Sequence, residues 1–154
     1  MTAHPIRAAR VSDTDEIAAM MTSLWPDGTV EEFRREVEAL VASEMCGTLS
    51  ATILVALEED GSLSGFIQAG LRSHADGCDP AHPVGYVEGW FVRRAVRGRG
   101  IGSALMRTAE EWARSQGCLE MASDAVIENE ESLRAHEARG FEVVDRCVHF
   151  RKRL

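Results

Sequence analysis

Apolar residues recur along this chain at two spacings, one that suits helices and one that suits strands. Ile17, Met20, Met21 and Leu24 follow i, i+3, i+4, i+7 steps, so residues 13–24 read as an amphipathic helix. Ser12 is its expected N-cap, and Asp13, Asp15 and Glu16 favour the positive end of the dipole. Trp25-Pro26-Asp27-Gly28 breaks the pattern. Thr29 to Glu32 then has capping-box spacing, and Phe33, Val37, Leu40 and Val41 form a second helical stripe. Glu31, Glu32, Glu36, Glu38 and Glu44 fall on the other side of that helix and read as a solvated face.

The middle of the chain switches to strand patterning. Residues 6–10 read as a short first strand, 52–58 as a longer one, and 59–62 as a turn into a hairpin partner over 63–72. A polar loop with Gly77, Pro80 and Pro83 covers 73–83 and is long enough to carry a function. Residues 84–92 are an apolar run interrupted by one carboxylate, Glu88. After a Gly/Arg turn, Ile101, Leu105, Ala109 and Trp112 share one helical face, with Glu110 and Glu111 on another, until Gly117 ends the helix. A strand over 119–123, a helix over about 130–138 ending at Gly140, and one or two strands over 141–151 complete the chain. With no repeats and no internal linker, residues 1–154 read as one mixed α/β domain, a central sheet with helices on both faces.

The turn Val96-Arg97-Gly98-Arg99-Gly100-Ile101-Gly102-Ser103 concentrates the chemistry. Its glycines let the backbone approach a ligand, and the first N–H groups of the following helix have no intrahelical acceptor. A helix start of this kind is an anion site, and Arg93, Arg94, Arg97 and Arg99 stand beside it. A pyrophosphate fits such a place. No lysine follows the glycines as a P-loop requires, and the Gly98-x-Gly100-x-Gly102 spacing is not a dinucleotide fingerprint.

Composition narrows the partners. The net charge is −8 although arginines crowd the turn, so nucleic acid and anionic membrane are not expected partners, whereas a polycation is. Cys46, Cys78, Cys118 and Cys147 lie far apart with no Cys-x-x-Cys pair, which argues against a zinc site or disulfide framework and fits a reducing cytoplasm. The start Met1-Thr2-Ala3-His4-Pro5 has neither a basic nor an apolar leader region, and no apolar run is long enough to span a bilayer.

Arg97-x-x-Gly100-x-Gly102, placed after a long apolar strand, resembles the acetyl-coenzyme A motif of the Gcn5-related N-acetyltransferase (GNAT) superfamily. The segment from Asn129 through Ser132 and His136 to Gly140-Phe141 is similar to that superfamily's later motif, with histidine where many members carry a tyrosine acid. The resemblance implies a mostly antiparallel sheet splayed in its middle. It implies acetyl-CoA held by the backbone at Trp90, Phe91 and Val92, by Arg97, Gly98, Arg99, Gly100, Ile101, Gly102 and Ser103, and by Asn129.

Leu24-Trp25, Val87-Glu88-Gly89, Met121-Ala122-Ser123-Asp124, Asn129, the His136 position and the ending Phe150-Arg151-Lys152-Arg153 together resemble one subgroup, the bacterial aminoglycoside 6′-N-acetyltransferases. That likeness implies transfer to the 6′-amine of an aminoglycoside, antibiotic resistance as the outcome, and a homodimer joined through the C-terminal strands. It implies Asp124 and Glu88 as catalytic carboxylates, with Trp25, Ala75, Glu88, Asp124 and Asp145 around the substrate and no metal. Two positions depart from the subgroup: Ala75 stands where an aromatic is expected, and Asp27-Gly28 where a histidine is expected.

Carboxylates suit a polyammonium sugar better than an apolar pocket does. Glu88 interrupts an apolar strand and is expected to face a water-filled cleft rather than to pair with an arginine. His136 is expected to be a hydrogen-bonded histidine rather than the acid. The alternatives are an acetyltransferase for a polyamine or a peptide α-amine, or a non-catalytic acyl-CoA sensor.

Overall fold

The computed structural model describes residues 4–154; Met1 to Ala3, where no leader is expected, lie outside them. The elements, in order, are β1 (Ile6–Ala8), α1 (Thr14–Leu24), α2 (Val30–Ser43), β2 (Met45–Cys46), β3 (Leu49–Leu57), β4 (Leu63–Arg72), β5 (Val84–Val92), α3 (Ile101–Ser115), β6 (Met121–Ser123) and α4 (Glu130–Glu137). Short 3-10 turns at Val11–Asp13 and Arg94–Val96 precede α1 and α3.

The sheet runs β1-β3-β4-β5-β6, with β2 paired to β3 outside that path. All pairings are antiparallel except β5 with β6. Strand alternation splits the core into two layers. Ala51, Ile53, Val55, Leu63 and Phe66 face α1 and α2, which contribute Ile17, Met20, Met21, Phe33, Val37 and Leu40. Leu54, Ala56, Ile67, Ala69 and Val87 face α3 through Ile101, Leu105, Met106 and Ala109. Helices therefore cover both faces, and the expected α/β sandwich is the observed one.

Capping differs from the sequence reading at one end and agrees at another. Ser12 lies inside the 3-10 turn, and Asp13 takes the N-cap position of α1. The Asp13 carboxylate bonds Arg7 at 2.6 and 3.0 Å and the Arg10 N–H at 2.7 Å. Those bonds, Arg7 foremost, hold it below the usual carboxylate range. Thr29 caps α2 as its spacing predicts, accepting from the Glu32 N–H at 3.2 Å while Glu32 returns the bond to the Thr29 N–H at 2.9 Å.

Residues 141–151 form no strand, contrary to the sequence reading. A strand needs a neighbour's ladder as well as a pattern, and these residues meet none. They lie along the outside, with Val148 75% and Phe150 93% exposed.

Candidate active site

The site grows from an irregularity in β5. In the β4–β5 register Gln68 opposes Gly89 but Ala69 opposes Val87, so Glu88 is an extra residue, a β-bulge. The bulge puts two successive residues on the α1–α2 side of the sheet. Val87 and Trp90 both pack towards α3. Glu88 instead shares a cleft with Trp25. Gly89 lies under the same indole: a Cβ there would stand 2.5 Å from Trp25 Cη2, so only glycine lets the ring settle on the strand.

Beyond the bulge, β5 separates from β6. The parallel ladder joins Gly85 to Met121, Tyr86 to Ala122 and Val87 to Ser123, and then stops. From Glu88 to Val92 the β6-facing edge of β5 has no strand beside it. This is the splay the sequence resemblance implies, and it leaves backbone groups open to a ligand.

The strand then enters the Gly/Arg turn. Gly98 and Gly100 take φ of 80° and 83°, left-handed values that side chains rarely tolerate. The N–H groups of Gly98, Arg99 and Gly100 donate no backbone hydrogen bond, and those of Ile101, Gly102 and Ser103 open the helix. Unpaired N–H groups at a helix start are what an anion-binding turn requires. Arg97 fastens this turn rather than standing free. Its Nε donates to the Val92 carbonyl at 2.9 Å and its Nη1 to Glu131 at 2.9 Å. Arg99 is exposed and makes no ion pair among the described residues. Trp90 Nε1 donates to the Gly102 carbonyl at 3.2 Å, and the Ile101 side chain is buried under the helix. Asn129 Oδ1 caps α4 by accepting from the Ser132 N–H at 3.0 Å, and its amide NH2 has no partner among the described residues.

On the other side of the splay the polar groups converge. Arg72 grips Glu88 with a fork of contacts at 3.0 to 3.1 Å and lies 3.4 Å over the Tyr86 ring. Glu88 therefore faces the cleft, but it is paired with an arginine, against the sequence expectation. The register of two strands brings the pair together, which no local spacing reveals. Tyr86, one of the residues the sequence reading passed over, has its hydroxyl pushed up to about 12, by burial first and then by the Asp124 carboxylate beside it. Asp124 is exposed just past β6. His136 is hydrogen-bonded on both ring nitrogens, to the Ser132 carbonyl at 2.7 Å and the Ser123 hydroxyl at 2.8 Å, with Trp90 and Phe141 edge-on.

Two expected substrate residues sit elsewhere. Ala75 is buried against Val84 and Tyr86, so its methyl supports the tyrosine instead of meeting solvent. Asp145 is exposed in the C-terminal segment, accepts only from the neighbouring Arg146 N–H, and has no bond to the cleft. Trp25 does line the cleft, stacked obliquely on Phe33 with centroids 5.9 Å apart. The cleft encloses about 560 Å3 and includes Glu36 and Gln68, neither singled out by the sequence. A polar residue inside the apolar run Phe66-Ile67-Gln68-Ala69 was the available signal.

Residues 14–141 match the acetyltransferase (GNAT) family. An aminoglycoside N(6′)-acetyltransferase type 1 from Klebsiella aerogenes is 36% identical over 97% of this chain and 96% of its own length. A protein of the same name from Stenotrophomonas maltophilia is 33% identical over 99% of this chain and 95% of its own length. Among solved structures, AAC(6′)-Iy in complex with the bisubstrate analogue CoA-S-monomethyl-acetylneamine superposes with a TM-score of 0.88 at 29% identity, covering 99% of this chain and 100% of that one. AAC(6′)-Ih from Acinetobacter baumannii superposes with a TM-score of 0.86 at 28% identity, over 99% of both chains.

Proposed function

This chain belongs to the acetyltransferase (GNAT) family, and on that premise we propose that residues 1–154 form one N-acetyltransferase domain acting on the 6′-amine of aminoglycosides, with antibiotic inactivation as the result. One observation carries the reading. The strand that leaves β6 after Val87 has unpaired N–H groups at its turn and a cleft of acidic and aromatic groups at its bulge. A donor with a pyrophosphate and an acceptor with positive charges match those two ends.

Acetyl-CoA supplies the activated acyl group as a thioester. The backbone N–H groups from Gly98 to Ser103 hold its pyrophosphate, and the amide NH2 of Asn129 bonds its arm. Open backbone N–H groups at Trp90 to Val92 polarise the acyl carbonyl as charge develops on its oxygen. The acceptor amine has a pKa of about 10 in water and must lose a proton before it attacks. Asp124 takes that proton, directly or through one water. Tyr86, kept protonated, stands beside the Asp124 carboxylate and adds no competing negative charge there. Trp25 lies against the sugar and the Arg72–Glu88 pair orients its polar groups. No acyl-enzyme is required.

The test is free-thiol release from acetyl-CoA with a panel of amines. Aminoglycosides bearing a 6′-amine should turn over, and their 6′-hydroxyl counterparts should be at least about a hundredfold slower, because an unreactive hydroxyl occupies the attacking position. Equal rates on both would remove the 6′ assignment, and turnover of peptide α-amines alone would favour the runner-up.

The reading extends to assembly and compartment. Val144, Val148 and Phe150 share one parity, are exposed, and have no strand beside them among the described residues, while the outer edge of β6 is unpaired. A second copy of this chain satisfies both needs, giving a homodimer. Its place of work is the cytoplasm, in keeping with four unpaired cysteines; no helix among the described residues is long and apolar enough to cross a membrane. Light scattering should give twice the chain mass at micromolar protein, and Val148→Asp with Phe150→Asp should halve it. A monomeric wild type ends the dimer proposal.

A further inference from the structure

We propose that Glu36, positioned by Gln68, forms a second cation subsite in the cleft and receives an ammonium group of the substrate other than the one acetylated. The inference rests on the aminoglycoside reading above and adds a specificity residue to it.

The cleft's two carboxylates are in different states. Glu88 is already neutralised by Arg72 through three close contacts. Glu36 forms no ion pair among the described residues, since Arg34 and Arg35 of the same helix turn to Asp15 and Glu31. It is exposed to solvent within the cleft and adjoins the core position Phe33 on α2. Its one side-chain partner is the Gln68 amide, whose Nε2 donates at 3.4 Å.

Gln68 is the second, independent sign. It is 5% exposed, stands directly across from Gly89 in the sheet, and lines the same cleft. Its Oε1 has no hydrogen-bond partner. A buried amide with half its capacity unmet costs about 1–3 kcal/mol, which an apolar residue at that place would avoid. A polar group is needed there for something beyond packing. Gln68 Oε1 is closed off from the cleft, and the contact Gln68 makes towards it is the Nε2 bond that holds Glu36; an ammonium donates to the Glu36 carboxylate so held and supplies the positive charge it lacks. A sugar hydroxyl would bond the carboxylate but not answer its charge. The cleft's extent, from Glu88 across β4 to α2, is what a substrate with amines on more than one ring requires.

The experiment compares two acceptors on wild type, Glu36→Gln and Gln68→Met, with acetyl-CoA saturating. One is a three-ring aminoglycoside with a 6′-amine; the other is methyl 6-amino-6-deoxyglucoside, which carries the reacting amine alone. Glu36→Gln should raise the aminoglycoside KM about tenfold, the loss of one charge-assisted hydrogen bond, with kcat nearly unchanged. Its kcat/KM for the monoamine should stay at the wild-type value. Gln68→Met should shift the aminoglycoside KM in the same direction by less, and again spare the monoamine. If wild type acetylates both acceptors and Glu36→Gln leaves the aminoglycoside KM unchanged, or weakens both acceptors equally, the subsite alone is refuted. If wild type acetylates neither, the aminoglycoside reading fails and takes the subsite with it.

Discussion

Asp124→Asn should lower kcat for aminoglycoside acetylation by about 10²- to 10³-fold, the usual weight of a general base. The KM for acetyl-CoA should hardly move, because the cofactor turn lies at the other end of the splay. Asparagine keeps the shape, so the substitution removes the base with little else. Tyr86 sharpens the test. With its hydroxyl pushed up to about 12, it carries its proton at every pH where the enzyme works. It therefore contributes no alkaline limb to the rate, and Tyr86→Phe should leave that side of the pH profile where it was. A steady-state kcat in Asp124→Asn equal to wild type would take the proton-accepting role away from this residue.

Gly100→Val should raise the KM for acetyl-CoA about a hundredfold, the loss of two charge-assisted hydrogen bonds. Residue 100 has φ of 83°, and a Cβ built on it meets no atom within 4 Å. The protein thus leaves room for a side chain there, and only the ligand's phosphates would be displaced. Backbone strain also lowers stability, by about 1–2 kcal/mol for a left-handed residue with a side chain. Gly117 separates the two effects. It has φ of 87° and the same open surroundings at the far end of α3, away from the cofactor turn. Gly117→Val should cost similar stability, read as a drop in Tm, with no change in KM. Equal KM changes in the two variants, or none in Gly100→Val, would mean that the turn does not hold the phosphates.

The elements bounded by glycine or by a helix stripe were legible from the chain. Strands Leu63–Arg72 and Val84–Val92 and helix Ile101–Ser115 fall at the residues their punctuation predicts. The bulge was not legible, because Val84 to Val92 is apolar or glycine on both sides of Glu88 and so hides any change of parity. The Arg72–Glu88 pair was missed for a related reason: it depends on strand register, which residue types in one strand do not encode. Glu36 was read as part of a solvated face because five glutamates share the region, and only the wall of a cleft distinguishes it from the others. The C-terminal residues carried a strand's alternation without a neighbour to pair with.

The extra residue at position 88 switches which face of the sheet the even-numbered residues of β5 occupy. Upstream of it, even-numbered Tyr86 looks towards Arg72; downstream, even-numbered Trp90 looks the opposite way, towards α3. A strand of the same length without the bulge would carry the upstream parity through position 90, turning Trp90 to the α1–α2 side and Phe91 towards α3, and lifting the indole off the helix it pins. Removing the extra residue would instead give a regular ladder with Trp90 still towards α3, so a one-residue deletion at 88 spares the donor end and takes from the acceptor end its arginine-paired carboxylate.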